Sequence, residues 1–115
     1  MVYARTAFFQ GTLTAPERQE FQDYMRAEVV PILQTFPGMQ TLQLNFPEVI
    51  DPAGPQDLLL MMQHTYADQA AMDAALASER RTLSMHATNK ILDKLAILVY
   101  HVNFQREALE PSLAK

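Results

Sequence analysis

The distribution of apolar positions is most unusual between Leu58 and Tyr66 (LLLMMQHTY). One parity carries Leu58, Leu60, Met62, His64 and Tyr66; the other carries Leu59, Met61, Gln63 and Thr65. Side chains of a strand point alternately to opposite faces, so this strand is largely apolar on both. A sheet with one wet face would alternate apolar and polar residues instead. Ala96–Phe104 (AILVYHVNF) repeats the feature, with Ile97, Val99, His101 and Asn103 opposite Leu98, Tyr100, Val102 and Phe104. By contrast, Met39–Phe46 alternates: Gln40, Leu42, Leu44 and Phe46 share one face, and Thr41, Gln43 and Asn45 the other. That pattern predicts a half-exposed strand at a sheet edge. Residues 2–10 (VYARTAFFQ) have strand composition and end at Gly11.

Between these strands the period changes to three and four. Thr14, Ala15, Pro16 and Glu17 fit a capping box with proline in the first turn. Phe21, Tyr24, Met25, Val29, Ile32, Leu33 and Phe36 then form a helical stripe. Pro31 interrupts it and should kink the helix, and Phe36-Pro37-Gly38 ends it. Pro47–Gln56 holds three prolines and a glycine and reads as a loop long enough to be mobile. Asp68 is a candidate N-cap for a short helix over Gln69–Ala77, and Ser78 restarts a second piece over Glu79–Leu95. Arg80 and Arg81 lie in the first turn of that piece, where they oppose the helix dipole unless an anion sits nearby. The tail, residues 105–115, is mostly polar.

The order strand, helix, strand, strand, broken helix, strand is the split β-α-β plan of an α+β, ferredoxin-like domain. It predicts a four-stranded antiparallel sheet with its helices on one face. The other face would be bare in a monomer, although strands 1, 3 and 4 supply apolar residues for it. Soluble monomers rarely expose so large a patch. A second copy packed sheet against sheet about a two-fold axis is the expected solution.

Composition narrows the partners. At 115 residues and 49% hydrophobic the chain reads as one domain with a core over about residues 2–104. A net charge of -4 and scattered basic residues speak against a nucleic-acid or anionic-membrane surface. Without cysteine there is no disulfide, no thiolate zinc site and no thiol nucleophile. The start, MVYARTAFFQG, lacks a signal-peptide pattern, and no apolar run approaches a membrane span, so the expected compartment is the cytoplasm.

Several stretches together resemble the EthD-like family of the dimeric α+β barrel superfamily. Asp57-Leu58-Leu59-Leu60-Met61 runs through Tyr66-Ala67-Asp68-Gln69-Ala70-Ala71-Met72 to Leu76-Ala77-Ser78. This is similar to the family's D-x-hydrophobic strand leading into an aromatic-x-(S/D)-x-x-A-(L/M) helix start. Phe21-x-x-Tyr24, Pro31-Ile32 and Phe36-Pro37-Gly38 resemble its F-x-x-Y, P-L and L-P-G run. The resemblance covers most of residues 2–104. It implies two sheets packed as a dimeric α+β barrel, with a pocket between sheet and helices in each subunit. Relatives bind aromatic or polyketide-like molecules there, and some oxygenate them without metal or flavin. The family's histidine two residues before the helix proline corresponds here to Val29, so its role is absent or moved elsewhere.

The chemistry on offer is limited. His64 and His101 lie within strands and titrate near neutrality, which makes them candidates for proton transfer. Tyr66 and Asn103 follow two residues later on the same faces. Whether the two histidines share a face depends on register. His64 with Tyr66 forms the candidate catalytic pair; Arg5, Tyr24, Met62, His101 and Asn103 are candidate substrate contacts. The competing reading makes His64 a buried, hydrogen-bonded imidazole and His101 an interface residue. Arg5 within a strand needs solvent or a partner: a ligand anion, a carboxylate across the dimer, or a snorkelling path to water. Met25, Met61, Met62 and Met72 could line an adaptable cavity or simply fill the core. His86 has no ligand at four-residue spacing, so no metal site is expected. With no tryptophan, haem degradation ranks low. The expected function is binding of a hydrophobic or aromatic small molecule. Cofactor-independent oxygenase, isomerase or cyclase chemistry is one form; a non-catalytic accessory or stress-associated dimer is the other.

Overall fold

The computed structural model describes residues 2–112; Met1 and the last three tail residues, 113–115, lie outside the described residues. The elements are β1 (Val2–Gln10), α1 (Ala15–Tyr24), a π-helical turn (Met25–Val29), α2 (Val30–Leu33), β2 (Thr41–Asn45), β3 (Leu58–Tyr66), α3 (Gln69–Leu76), α4 (Glu79–Leu95) and β4 (Leu98–Arg106). All pairings are antiparallel, in the order β2-β3-β1-β4. This is the ferredoxin-like α+β arrangement, with the helices on one face. No helix among the described residues is long and apolar enough to cross a membrane.

Local chemistry sets the boundaries. Thr14 Oγ1 accepts from the Glu17 amide at 3.3 Å while Glu17 Oε1 accepts from the Thr14 amide at 2.9 Å, closing the capping box. Pro31 acts as the pattern foretells, but through a wide turn. Its missing N–H removes one α-helical bond, and the chain responds with a Val30 N–H to Met25 carbonyl bond five residues back. Met25 and Val29, on this turn, are fully buried. Gly38 takes the left-handed conformation (φ 74°) that ends the segment. Asp68 caps α3 by accepting from the Ala71 amide at 2.8 Å.

Three expectations need correction. β2 is shorter than its alternating pattern and begins at Thr41, although it is an edge strand as expected. β4 starts at Leu98 and runs through Arg106, because Ala96 is consumed in the left-handed turn (φ 55°) that closes α4. The proline-rich loop is tied down: Gln56 Nε2 donates to the Asp51 and Gly54 carbonyls at 2.7 and 3.2 Å.

Register assigns the faces. Arg5 lies opposite His64 and Asn103, and Ala7 opposite Met62 and His101. The parity of Tyr3, Arg5, Ala7 and Phe9 therefore looks toward the helices, as do Met62, His64, Tyr66, Val99 and His101. Phe9 meets Phe21 of α1 at 5.6 Å between ring centroids. Around them Met25, Val29, Leu60, Met72 and Ile91 complete the core. On the opposite face Phe8 stacks on Tyr100 at 5.2 Å. Leu98, Tyr100 and Phe104 of β4 stay 62%, 44% and 42% exposed there. On β3, Gln63 and Thr65 accompany Met61 on that face, as the alternation predicts. Gln63 Nε2 donates to Thr6 Oγ1 at 3.0 Å, and Thr65 meets Thr41 hydroxyl to hydroxyl at 2.5 Å.

A non-glycine residue in the left-handed region is strained, and Ala96 is exposed there. Ala96→Gly should raise stability by about 0.5–1 kcal/mol, read as a higher urea midpoint with an unchanged slope.

Candidate functional site

The helix-facing side of the sheet is not filled throughout. Near Phe21 and Met72 the core is closed. Toward the middle of β4, where α4 presents Arg81, Ser84, Met85, Thr88 and Asn89, a cavity of about 300 Å³ remains. Phe9, Val29, Leu33, Phe36, Met62, Leu76 and Val99 give it apolar walls. Arg5, His64, His101 and Arg81 bring its charged or titratable groups. This is the usual anatomy of a small-ligand site, apolar with a few convergent polar groups.

His64 is the best-fixed of these groups. It is 5% exposed, and Phe36 meets its ring edge-on at 5.8 Å between centroids. Its Nδ1 lies 2.7 Å from the Tyr66 hydroxyl. Burial pushes Tyr66 up to about 12, against the opposing charge of Arg5, so the phenol stays protonated at neutral pH. Burial also pushes His64 down to about 4, and the charges of Arg5 and His101 act in the same direction. The imidazole is therefore neutral. The Tyr66 proton has no other acceptor among the described residues, so the phenol donates to Nδ1. The imidazole proton then sits on Nε2. In this tautomer His64 offers the cavity a hydrogen-bond donor, not a base.

Arg5 donates from Nη1 to Asn103 Oδ1 at 3.0 Å across the β1–β4 ladder. Desolvation, then the charge of Arg81, lowers its pKa, with Tyr66 opposing. His101 lies on β4, two residues from Asn103 and on the same face. Desolvation of its ring pushes it to about 4, followed by repulsion from Arg5 and Arg81. His101 as a whole remains exposed on this edge strand.

The structure thus brings together most of the residues singled out by sequence. Arg5, Met62, His64 and His101 line the cavity; Tyr66 and Asn103 are one hydrogen bond behind it. His101 belongs to the cavity and not to the bare face, because its parity turns it toward the helices. Tyr24 does not line the cavity. Its hydroxyl donates to the Ala87 carbonyl at 2.6 Å and braces α1 against α4. Met25 and Met72 are core, and Met61 is on the other face. Arg5 has no carboxylate partner among the described residues: the Asn103 amide oxygen takes its place. On the α4 wall, Arg81 is marked in the sequence by its place in the first turn of the helix, whereas Ser84, Met85 and Thr88 are not marked. Arg81, Ser84, Met85 and Thr88 recur at three- and four-residue spacing, but so polar a stripe also describes a solvent face. Among the described residues no group of three or more His, Cys, Asp or Glu is placed to hold a metal ion.

No family model matches the chain, and no curated protein matches it in sequence. Solved structures do match. An EthD family protein from Bacillus halodurans superposes with a TM-score of 0.76 at 18% identity, covering 93% of this chain and 100% of that one. A dimeric protein of unknown function and ferredoxin-like fold from Bacteroides fragilis gives 0.64 at 7% identity, over 91% and 96% of the two chains. A cofactor-independent oxygenase from Streptomyces nogalater gives 0.60 at 14% identity, over 96% and 98%. At these identities the likeness establishes a shared fold.

The neutral state of His64 has a thermodynamic signature. Its folded pKa lies below the unfolded value of 6.5, so the unfolded chain binds the proton first as pH falls. The stabilisation is complete above pH 6.5 and is lost as the pH drops toward 4, by up to about 3 kcal/mol for this group. Denaturation at stepped pH should find that slope, and His64→Gln should flatten it while leaving the smaller contribution of His101.

Proposed function

We propose that the protein binds a hydrophobic or aromatic metabolite in this cavity and acts on it in the cytoplasm as a cofactor-independent enzyme of the oxygenase, isomerase or cyclase type. The observation that carries the reading is the convergence of His64, Arg5 and His101 on one end of an otherwise apolar hollow. The oxygenase character of the Streptomyces nogalater protein supports it by fold analogy. In this reading His64 Nε2–H polarises a substrate oxygen, and Tyr66 holds the ring in the tautomer that allows it. Arg5, positioned by Asn103, and His101 orient the substrate, while Met62 packs on its apolar body. Donors already aimed at a developing oxyanion need no reorganisation during reaction.

The same proposal includes a homodimer formed through the bare sheet face. Phe8, Met61, Leu98, Tyr100 and Phe104 give that face an apolar stretch, and the Bacteroides fragilis protein of the same fold is dimeric. A standard interface buries about 800 Å² per partner, well within the reach of a four-stranded sheet.

A second reading, a non-catalytic binding module, is favoured by one residue. Val29 lines the cavity at the position where the EthD-like pattern carries a histidine.

Two measurements address these readings. Sedimentation at micromolar concentration should give twice the 13.0 kDa protomer mass, and the double change Phe8→Glu with Tyr100→Glu should give the protomer. A wild-type particle of protomer mass would remove the dimer. For the cavity, aromatic ketones and phenols should be screened by thermal shift. Ligand at a hundredfold its Kd contributes about 2.7 kcal/mol, a rise on the order of 10 °C. For a ligand that is also turned over, His64→Gln should cost about 10²-fold in kcat with the melting temperature at neutral pH little changed. Binding without turnover in the wild type selects the non-catalytic reading.

A further inference from the structure

The cavity wall is electrostatically one-sided. Arg5 enters it from β1 and Arg81 from α4, and no aspartate or glutamate is among its lining residues. Thirteen carboxylates are available in a chain of net charge -4, yet none has been placed here. The ion pairs among the described residues join Arg26 to Asp23 and Lys94 to Glu20, both away from the cavity. Arg5 has only the neutral Asn103 amide, and Arg81 has no ion pair among the described residues.

Two guanidiniums facing a partly apolar hollow repel one another and lose hydration. Arg81 adds a third penalty, since it occupies the first turn of α4, where the helix dipole disfavours a cation. Its neighbour Arg80 projects into solvent, whereas Arg81 is half-buried. An arginine kept half-buried under such conditions is accounted for when a negative charge arrives. Guanidinium forks match planar oxyanions, which they bind through paired N–H groups.

We infer that the cavity is selective for an oxyanion carried on a flat apolar body, a carboxylate or ionised phenol, seated between Arg5 and Arg81 with its body against Phe9, Val29, Leu33 and Phe36. This rests on the cavity being a ligand site and narrows the class of molecule it takes. His64 Nε2–H adds a neutral donor to the same end, and the two histidines, being uncharged, leave the arginines as its cations. An acidic phenol or enol bound here would be held as its anion, the electron-rich form of such a molecule.

The test uses three probes of one shape on the intact protein: 2-naphthoate, 2-naphthamide and 2-naphthylmethylammonium, with affinities from calorimetry. The naphthoate should bind at least tenfold more tightly than the amide, and the ammonium should bind more weakly than both. Arg81→Gln should abolish at least most of the preference for naphthoate over amide while leaving the amide affinity within about twofold. Arg80→Gln, which changes the net charge equally, should leave the preference intact. Arg5→Gln provides an independent variant on the other wall and should act like Arg81→Gln. Equal binding of naphthoate and amide to the wild type overturns the inference but leaves the cavity as an apolar ligand site. A preference lost equally in Arg80→Gln also overturns it, because overall charge would then explain it. Failure of all three probes to bind overturns both this inference and the reading of the cavity on which it rests.

Discussion

A guanidinium in the middle of a central strand cannot be sealed into a hydrocarbon core, and the shape of this protein follows from where Arg5 points. β1, like β3, has neighbours on both sides, and its register turns Arg5 toward the helices. Packing aliphatic side chains over that charge would strip its hydration without a compensating ion. The helical layer instead leaves a hollow beside Arg5, with Phe9, packed on Phe21, as part of its wall. α4 meets the sheet with Ile91, Leu92 and Leu95 at its C-terminal end, all buried, and with Arg81, Ser84, Thr88 and Asn89 nearer its start. The hollow is thus the consequence of one charge in the sheet and a matching change of polarity along one helix.

The same charge organises the titratable groups. Arg5 sits opposite His64 in the ladder, on the same face as Tyr66 and two positions from the pair that holds His101. Its field disfavours protonation of both histidines and partly offsets the rise that burial imposes on Tyr66. Neutral His64 and protonated Tyr66 satisfy one another with a single hydrogen bond and leave no buried charge. A buried polar pair that is fully satisfied rigidifies its surroundings. The T-shaped contacts of His64 with Phe36 and Tyr66 then leave the ring little rotational freedom. Preorganisation at this site is built from core packing, not from a loop.

Much of the fold was legible because the chain's local signals agree with one another. The capping box at Thr14, the Asp68 and Ser78 starts and the strand limits at Gly11 and Pro47 all act within a few residues, where sequence and structure are closely linked. Pro31 shows the limit of that logic. A kink is foreseeable from a missing donor, but a π-helical turn that keeps both Met25 and Val29 on the buried stripe depends on what α4 and the sheet offer opposite. The site was legible in its strand residues and, apart from Arg81 in the first turn of α4, opaque in its helix residues. In a strand a charged or titratable side chain breaks the expected composition, so Arg5, His64 and His101 stand out. On α4 a stripe of Arg81, Ser84 and Thr88 has the composition of any wetted helix face, and only the strand register reveals what it covers.

Face assignment connects the site to the opposite side of the sheet. A one-residue shift of β1 against β3 and β4 would exchange Arg5 for Ala4 or Thr6 toward the helices and send Arg5 to the bare face. The Phe8–Tyr100 stack would turn inward with it. The two faces are therefore specified together: Phe9 meeting Phe21 favours the register that also exposes Phe8 and Tyr100. Apolar exposure on β4 and the cationic hollow beneath β1 are not separate features that happen to coexist. They are the two parities of one antiparallel ladder, and selection on either side constrains the residues available to the other.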